Sequence, residues 1–152
     1  MTEQRSGGDE SGQVGVLIIG YVLLALLVIT VVAGASSVYL GHKKLLSAAD
    51  GAALAAADTF SLSQVQGTQP GAPPAAQLEP AAVTAAVQQY LADSGAGERI
   101  DALRISPETG TPDARTARVV LLGAVHPPIM NFLVPEGIPI RAESDARARL
   151  TR

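Results

Sequence analysis

The longest apolar pattern in the chain occupies residues 14–39, which contain no charged side chain. A helix rises about 1.5 Å per residue, so about 20 apolar residues cross a hydrocarbon core of roughly 30 Å. The run exceeds that length and predicts a transmembrane helix over residues 13–40. The alternative is a cleaved signal peptide, because Ala33, Gly34 and Ala35 resemble a small-residue cleavage site that would release a secreted domain after Ala35. The length of the run favours a retained helix, since signal peptides have apolar cores of about 7 to 15 residues.

The flanks of this run are polar and do not determine its orientation. Residues 1–12 are polar and glycine-rich, which predicts a disordered segment before the helix. Arg5 and the amino terminus precede the run, whereas Lys43 and Lys44 follow it. Because basic residues mark the cytoplasmic side, these similar counts leave both orientations open. The two lysines can extend their ammonium groups to the lipid headgroups, beside the ring of Tyr39.

An alanine-rich segment follows at residues 41–65, and its lack of proline predicts that the helix continues out of the membrane. Small residues recur four positions apart, as in Ala33, Ser37 and Gly41. Such a row lets helix backbones approach closely and favours helix association inside lipid. The alternative is that alanine is abundant only because it is the best helix former. The predicted packing and motif positions are Gly34, Ser37, Gly41, Ala48, Ala49, Asp50, Ala52, Ala53 and Leu54.

Turn-forming residues separate this helix from a second folded segment. Residues 66–80 contain four prolines and two glycines, which predict a linker. Residues 81–93 carry apolar side chains at helical spacing, Pro80 suits the first turn of that helix, and residues 94–97 end it. Apolar patterns then predict three β-strands, at residues 100–106, 117–125 and 138–150.

The third of these strands has the clearest alternation. Ile138 and Ala142 lie on one face, and Arg141 and Glu143 lie on the other. A helix packed on an antiparallel sheet buries one face of each. The predicted fold class is therefore α+β: a long N-terminal transmembrane helix that extends out of the membrane, then a small domain, residues 81–152, of one helix against a three-stranded antiparallel sheet.

Composition and charge argue against several kinds of chemistry. The net charge is −3 and the charges are scattered, so no basic block indicates nucleic acid. The chain has no Cys, which excludes disulfides and thiolate metal sites. His42 and His126 are far apart in the sequence, and no spacing typical of metal ligands or catalytic residues accompanies them. We therefore expect no enzyme, no catalytic residue, no cofactor, no metal and no small-molecule substrate.

Three short segments carry a resemblance to a known family. Residues 11–13 (SGQ) open the apolar run, residues 39–40 (YL) close it, and residues 47–57 read SAADGAALAAA, which is similar to the signature NAADAAALAAA. An isolated Asp50 in an alanine-rich helix at a fixed distance from a membrane run is a fairly specific feature. The chain in this region, residues 11–58, resembles the TadE/TadG-like family of Flp/Tad pilus-assembly proteins.

The chain also departs from that family pattern. Gly34 stands where many relatives carry Asp, and Leu46 stands where a Gln is common. Gly12 and Gln13 form a possible processing junction for a prepilin peptidase, but Leu17 replaces the Glu that processed, pseudopilin-like relatives carry. These departures favour the unprocessed, TadG-like side of the family.

The resemblance implies a single-pass protein of the cytoplasmic (inner) membrane, with its N-terminus inside and residues 81–152 as an extracytoplasmic α+β domain of pilin-like plan. It implies a minor structural or assembly component of a Tad pilus or secretion machine that acts through helix packing. The implied partners are the lipid bilayer and other Tad pilus or pseudopilin-like membrane proteins.

Two other functions remain open. One is a membrane-anchored extracytoplasmic binding module, with a ligand groove between the second helix and the sheet. The other is the secreted domain released after Ala35. The mature N-terminus separates these alternatives.

Overall fold

The computed structural model describes residues 9–66, 78–128 and 134–147. Its elements in chain order are α1 (Asp9–Gln66), α2 (Pro80–Asp93), α3 (Ala96–Arg99), β1 (Asp101–Ile105), β2 (Thr116–Val125) and β3 (Ile138–Arg147).

Helix α1 contains both the apolar run and the alanine-rich segment. It has 58 residues, which corresponds to a length of about 87 Å at 1.5 Å per residue. It begins at Asp9, so its first turn lies inside the segment expected to be disordered. Residues 1–8 and most of the predicted linker, residues 67–77, lie outside the described residues.

The N-terminal half of α1 exposes a continuous apolar surface. Leu17 is 74% exposed and Ile29 is 63% exposed, and the other large apolar side chains of this half are exposed in the same way. The helix is long and apolar enough to cross a membrane over part of Gly12–Thr59, and the most apolar stretch is unburied. Because a large exposed apolar surface is unfavourable in water, this half is a candidate membrane span.

The strands form an antiparallel sheet in the order β1-β2-β3. The alternation predicted for β3 is confirmed: Ala142 and Ala146 are buried, whereas Arg141 and Glu143 are exposed. The inner face of the sheet packs on the C-terminal half of α1, and α2 packs on the same half of that helix. The α+β fold class is therefore as predicted, with α1 as part of the domain core.

Strand β2 is buried on its inner face, where Ala117, Val119 and Leu121 are fully buried. On its outer face Val120 is also fully buried. The Val120 amide donates to Thr109 Oγ1 at 3.0 Å, and the Thr109 hydroxyl donates to the Val120 carbonyl at 3.1 Å. Thr109, in the loop after β1, is thus fixed beside the backbone of Val120.

Helix α2 begins with Pro80 and buries Val83, Val87 and Leu91, as its apolar spacing predicts. Gly95 adopts the left-handed conformation, with φ of 61°, and ends the helix as expected. The chain then forms the short helix α3, which the sequence pattern did not indicate. Its only fully buried side chain, Ala96, is too small to produce a helical pattern.

Candidate packing surfaces of the long helix

The alanine-rich half of α1 is the central element of its own domain. Ala49, Ala52, Ala53 and Ala56 are fully buried between α2 and the inner face of the sheet, together with Leu45. Methyl side chains let the backbone of α1 approach these elements closely. Most of the alanines in the family-like segment therefore make contacts inside this chain.

Two glycines mark the closest approaches of α1 to its domain. A Cβ atom at Gly41 would overlap the side chain of Val125 at the end of β2. A Cβ atom at Gly51 would overlap the Tyr90 hydroxyl on α2. The row of small residues that predicted contacts with other helices is thus occupied, at Gly41, by the sheet of the same chain.

Two motif residues, Asp50 and Leu54, face away from the core. Asp50 is exposed and Leu54 is 63% exposed, one turn apart on the same side of α1. Ala48 is half-buried at the boundary between the two surfaces. Here we call the side of α1 that carries Asp50 and Leu54 the outward face. An exposed leucine beside a carboxylate is a surface that another protein chain can contact.

The remaining predicted positions lie on the apolar, N-terminal half of α1. Gly34 is buried within this half of the helix. Ser37 is half-buried one turn before Gly41, where the helix meets the domain. Gly12 and Gln13 are exposed within the first turns of α1. The predicted site residues are therefore spread along one helix and do not form a single pocket.

The structure also brings together basic side chains that the sequence analysis did not connect. Lys44 on α1, Arg99 at the end of α3 and His126 after β2 line one cleft of about 240 Å³. The His126 Nδ1 atom lies 3.0 Å from Asp101 Oδ2. No spacing in the sequence links these residues, because they come from three different elements. The two adjacent lysines were the only signal available.

A second cleft, of about 400 Å³, lies between α2 and β1. Leu91 on α2 and Leu103 on β1 contribute apolar surface, and Glu98 and Arg104 contribute opposite charges. This position corresponds to the groove expected for a binding module. Among the described residues, no group of three His, Asp or Glu side chains is placed to hold a metal ion.

The outer face of the sheet carries ion pairs between neighbouring strands. Arg118 donates to Asp145 through Nε at 3.0 Å and through Nη2 at 3.2 Å, and its Nε lies 3.3 Å from Glu143. The hydrogen bond to Asp145 is the main cause that raises the pKa of Arg118. The pKa of Asp113 is lowered, chiefly because the Arg115 amide donates to its carboxylate. This charged face discourages pairing with other sheets.

Comparison with known proteins identifies one part of the chain. Residues 12–59 match the model of the Tad family, described as Flp pilus-assembly TadE/G-like. This confirms the resemblance seen in the sequence, over nearly the same range. No curated protein and no solved structure matches the chain.

Proposed function

From the match of residues 12–59 to the TadE/G-like family, we propose that this chain is a non-enzymatic, single-pass membrane component of a Tad/Flp-type pilus assembly or secretion machine. The observation that carries the proposal is the combination of that match with an exposed apolar helix of membrane-spanning length. In the proposed arrangement the helix crosses the cytoplasmic membrane, with the N-terminus inside and the α+β domain outside.

The mechanism that we propose is rigid presentation of the domain at the membrane surface. Helix α1 leaves the apolar run at Tyr39 and contacts Val125 of the sheet already at Gly41. Since the same helix continues into the domain core through Leu45 and Ala49, the chain has no linker between membrane and domain. Partners that hold α1 in the membrane would therefore also orient the domain.

We propose that partner proteins contact the outward face of α1 rather than its alanine row. The buried positions Ala49, Ala52 and Ala53 are already occupied by the domain, so a partner could reach them only if the domain opened. Leu54 and Asp50 are accessible without any rearrangement. Inside the membrane, Gly34 and Ser37 remain the proposed packing positions.

Site-specific photo-crosslinking in cells that express the other pilus components tests this proposal. A photoreactive residue at position 54 should form adducts with a membrane protein of the pilus machine, identified by mass spectrometry. The same probe at position 89, which is exposed on α2, is the matched control. Absence of adducts at position 54, together with absence at position 37, would contradict the proposed packing role.

A membrane-anchored binding module is the second candidate function. The cleft between α2 and β1 favours it, because apolar walls accompany Glu98 and Arg104 there. Co-purification of a small molecule that raises the thermal stability of the full chain would support this function. The increase should disappear in a Leu103→Asp variant.

A further inference from the structure

The cleft beside Lys44 lies where α1 leaves the apolar run. Ser37, Leu40 and Gly41 form its wall on the helix, and Val125 and Ile140 form its wall on the sheet. At 1.5 Å per residue, Lys44 lies about 7.5 Å beyond Tyr39 along the axis. The polar headgroups of both leaflets together add about 10 to 15 Å to the thickness of the hydrocarbon core, so each leaflet contributes about half of that. The cleft therefore lies at the depth of the headgroups if Tyr39 marks the end of the span.

The cleft combines two basic side chains from different elements. The Arg99 guanidinium is positioned by two backbone carbonyls, since Nη2 donates to Ser94 O at 2.7 Å and Nε to Gly95 O at 3.4 Å. A guanidinium has five N–H donors, so further donors remain for a ligand. Within the described residues, neither Lys44 nor Arg99 forms an ion pair.

One carboxylate also lines the cleft, and it has a partner. Asp101 Oδ2 lies 3.0 Å from His126 Nδ1. The two positive charges of Lys44 and Arg99 therefore outnumber the single negative charge of Asp101 in the cleft. An anionic group with several oxygen acceptors, such as a phosphodiester, matches this arrangement.

The apolar side of the cleft favours a lipid over a free phosphate. Leu40, Val125 and Ile140 lie beside the cations, and Leu40 itself continues the apolar surface of the membrane run. A phospholipid presents a phosphate and the first carbons of its acyl chains at that boundary. A soluble phosphate would leave the apolar wall without a partner.

We propose that this cleft binds the headgroup phosphate of an anionic phospholipid in the leaflet next to the domain. The proposal depends on the proposed function, because α1 must span the bilayer for the cleft to meet the headgroups. Lys44 and Arg99 hold the phosphate, and Leu40 with Ile140 contacts the glycerol and upper acyl region. The bound lipid would fix the depth of the domain at the membrane.

Native mass spectrometry of the full chain tests the site. The protein is reconstituted in nanodiscs that contain phosphatidylcholine and phosphatidylglycerol, and the lipids that stay bound after release are counted. The wild type should retain phosphatidylglycerol in preference to phosphatidylcholine. In a K44Q/R99Q variant the preference for phosphatidylglycerol should fall by up to about 30-fold, because two basic side chains that attract an anionic surface are removed.

The matched control is a K43Q/R104Q variant. Lys43 lies at a similar depth with its ammonium 5.7 Å from the centre of the Tyr39 ring, and Arg104 lies outside this cleft. The control removes the same charge without removing either cation of the cleft, so it should keep the preference if the cleft, rather than the total charge, selects the lipid. An equal loss in both variants, or no preference in the wild type, would overturn the proposal. Unchanged circular dichroism spectra would show that both variants fold.

Two further measurements distinguish a lipid site from a phosphate site and test whether α1 spans the bilayer. Displacement of the bound lipid by inorganic phosphate would show a phosphate site rather than a lipid site, and would overturn the lipid assignment. Protease access to both ends of α1 in the same nanodiscs reports whether the helix spans the bilayer. A helix that does not span contradicts the proposed function itself, whereas a spanning helix without lipid preference contradicts only this inference.

Discussion

At the residue scale, Gly41 shows why a small side chain matters where α1 leaves its apolar run and meets the sheet. The Val125 side chain fills the space in which a Cβ atom of residue 41 would lie. Val125 belongs to a β-strand and is β-branched, so its side chain has little freedom to move away. Gly51 differs, because the atom above it is the terminal hydroxyl of Tyr90, which can shift more easily.

We expect Gly41→Leu to destabilise the domain by about 1 to 3 kcal/mol, because overpacking forces strained side chains or a backbone shift. Thermal unfolding of the full chain in detergent, followed by circular dichroism, measures the effect. Gly20→Leu is the control, since nothing lies within 4 Å of a Cβ atom at Gly20. Equal midpoints for the two variants would show that Gly41 is not a contact between helix and sheet.

At the scale of the element, α1 has two surfaces with different roles in its alanine-rich half. Ala53 is fully buried against the domain, and its neighbour Leu54 is 63% exposed. An ordinary amphipathic helix buries its large apolar side chains and exposes polar ones. At these two positions the small side chain is buried and the large apolar one is exposed. The close approach of sheet and α2 requires the small residues inside, whereas the fold of this chain gives no reason for an exposed leucine.

We therefore expect adjacent substitutions to have different effects. Ala53→Leu should lower the free energy of unfolding by about 1 to 3 kcal/mol, because a fully buried position has no room for three more carbons. Leu54→Ala should change it by no more than about 0.5 kcal/mol, as for other exposed positions. Urea unfolding of the two variants in detergent measures both values. A larger effect at Leu54 would show that the outward face is buried in the isolated protein.

At the scale of the whole molecule, the continuous helix α1 joins the candidate membrane span and the domain into one unit. Cleavage after Ala35 would leave Gly41, Leu45 and the buried alanines in the released product. The domain core is therefore compatible both with a retained N-terminal segment and with cleavage after Ala35. The distinction between an anchored component and a secreted domain rests on processing, which can be measured directly.

We expect the mature protein to retain residues 2–35, as an anchored and unprocessed protein would. Intact-mass analysis of the protein purified from its membrane fraction gives the N-terminus. A chain that begins at Gln13 would instead show prepilin-type processing and would contradict the expectation of an unprocessed, TadG-like protein. A chain that begins at Ser36 would contradict the membrane-anchored function.

Several features could be predicted from local sequence because each depends on a pattern within one element. The uncharged run of residues 14–39 predicts the apolar helix, and the alternation around Arg141 and Glu143 predicts the outer face of β3. Pro80 and Gly95 locate the ends of α2. Burial follows directly from residue type where polar and apolar residues alternate, so the α+β class was accessible without a structure.

The orientation of the alanine-rich helix was decided only by tertiary structure. Alanine has the same methyl group on every side of a helix, so the sequence contains no hydrophobic pattern that distinguishes Ala53, which is buried, from half-buried Ala55. The sheet and α2 select the inner side by contact with Gly41 and Gly51. The cleft of Lys44, Arg99 and His126 likewise exists only after three elements meet, because it depends on packing across the chain rather than on spacing along it.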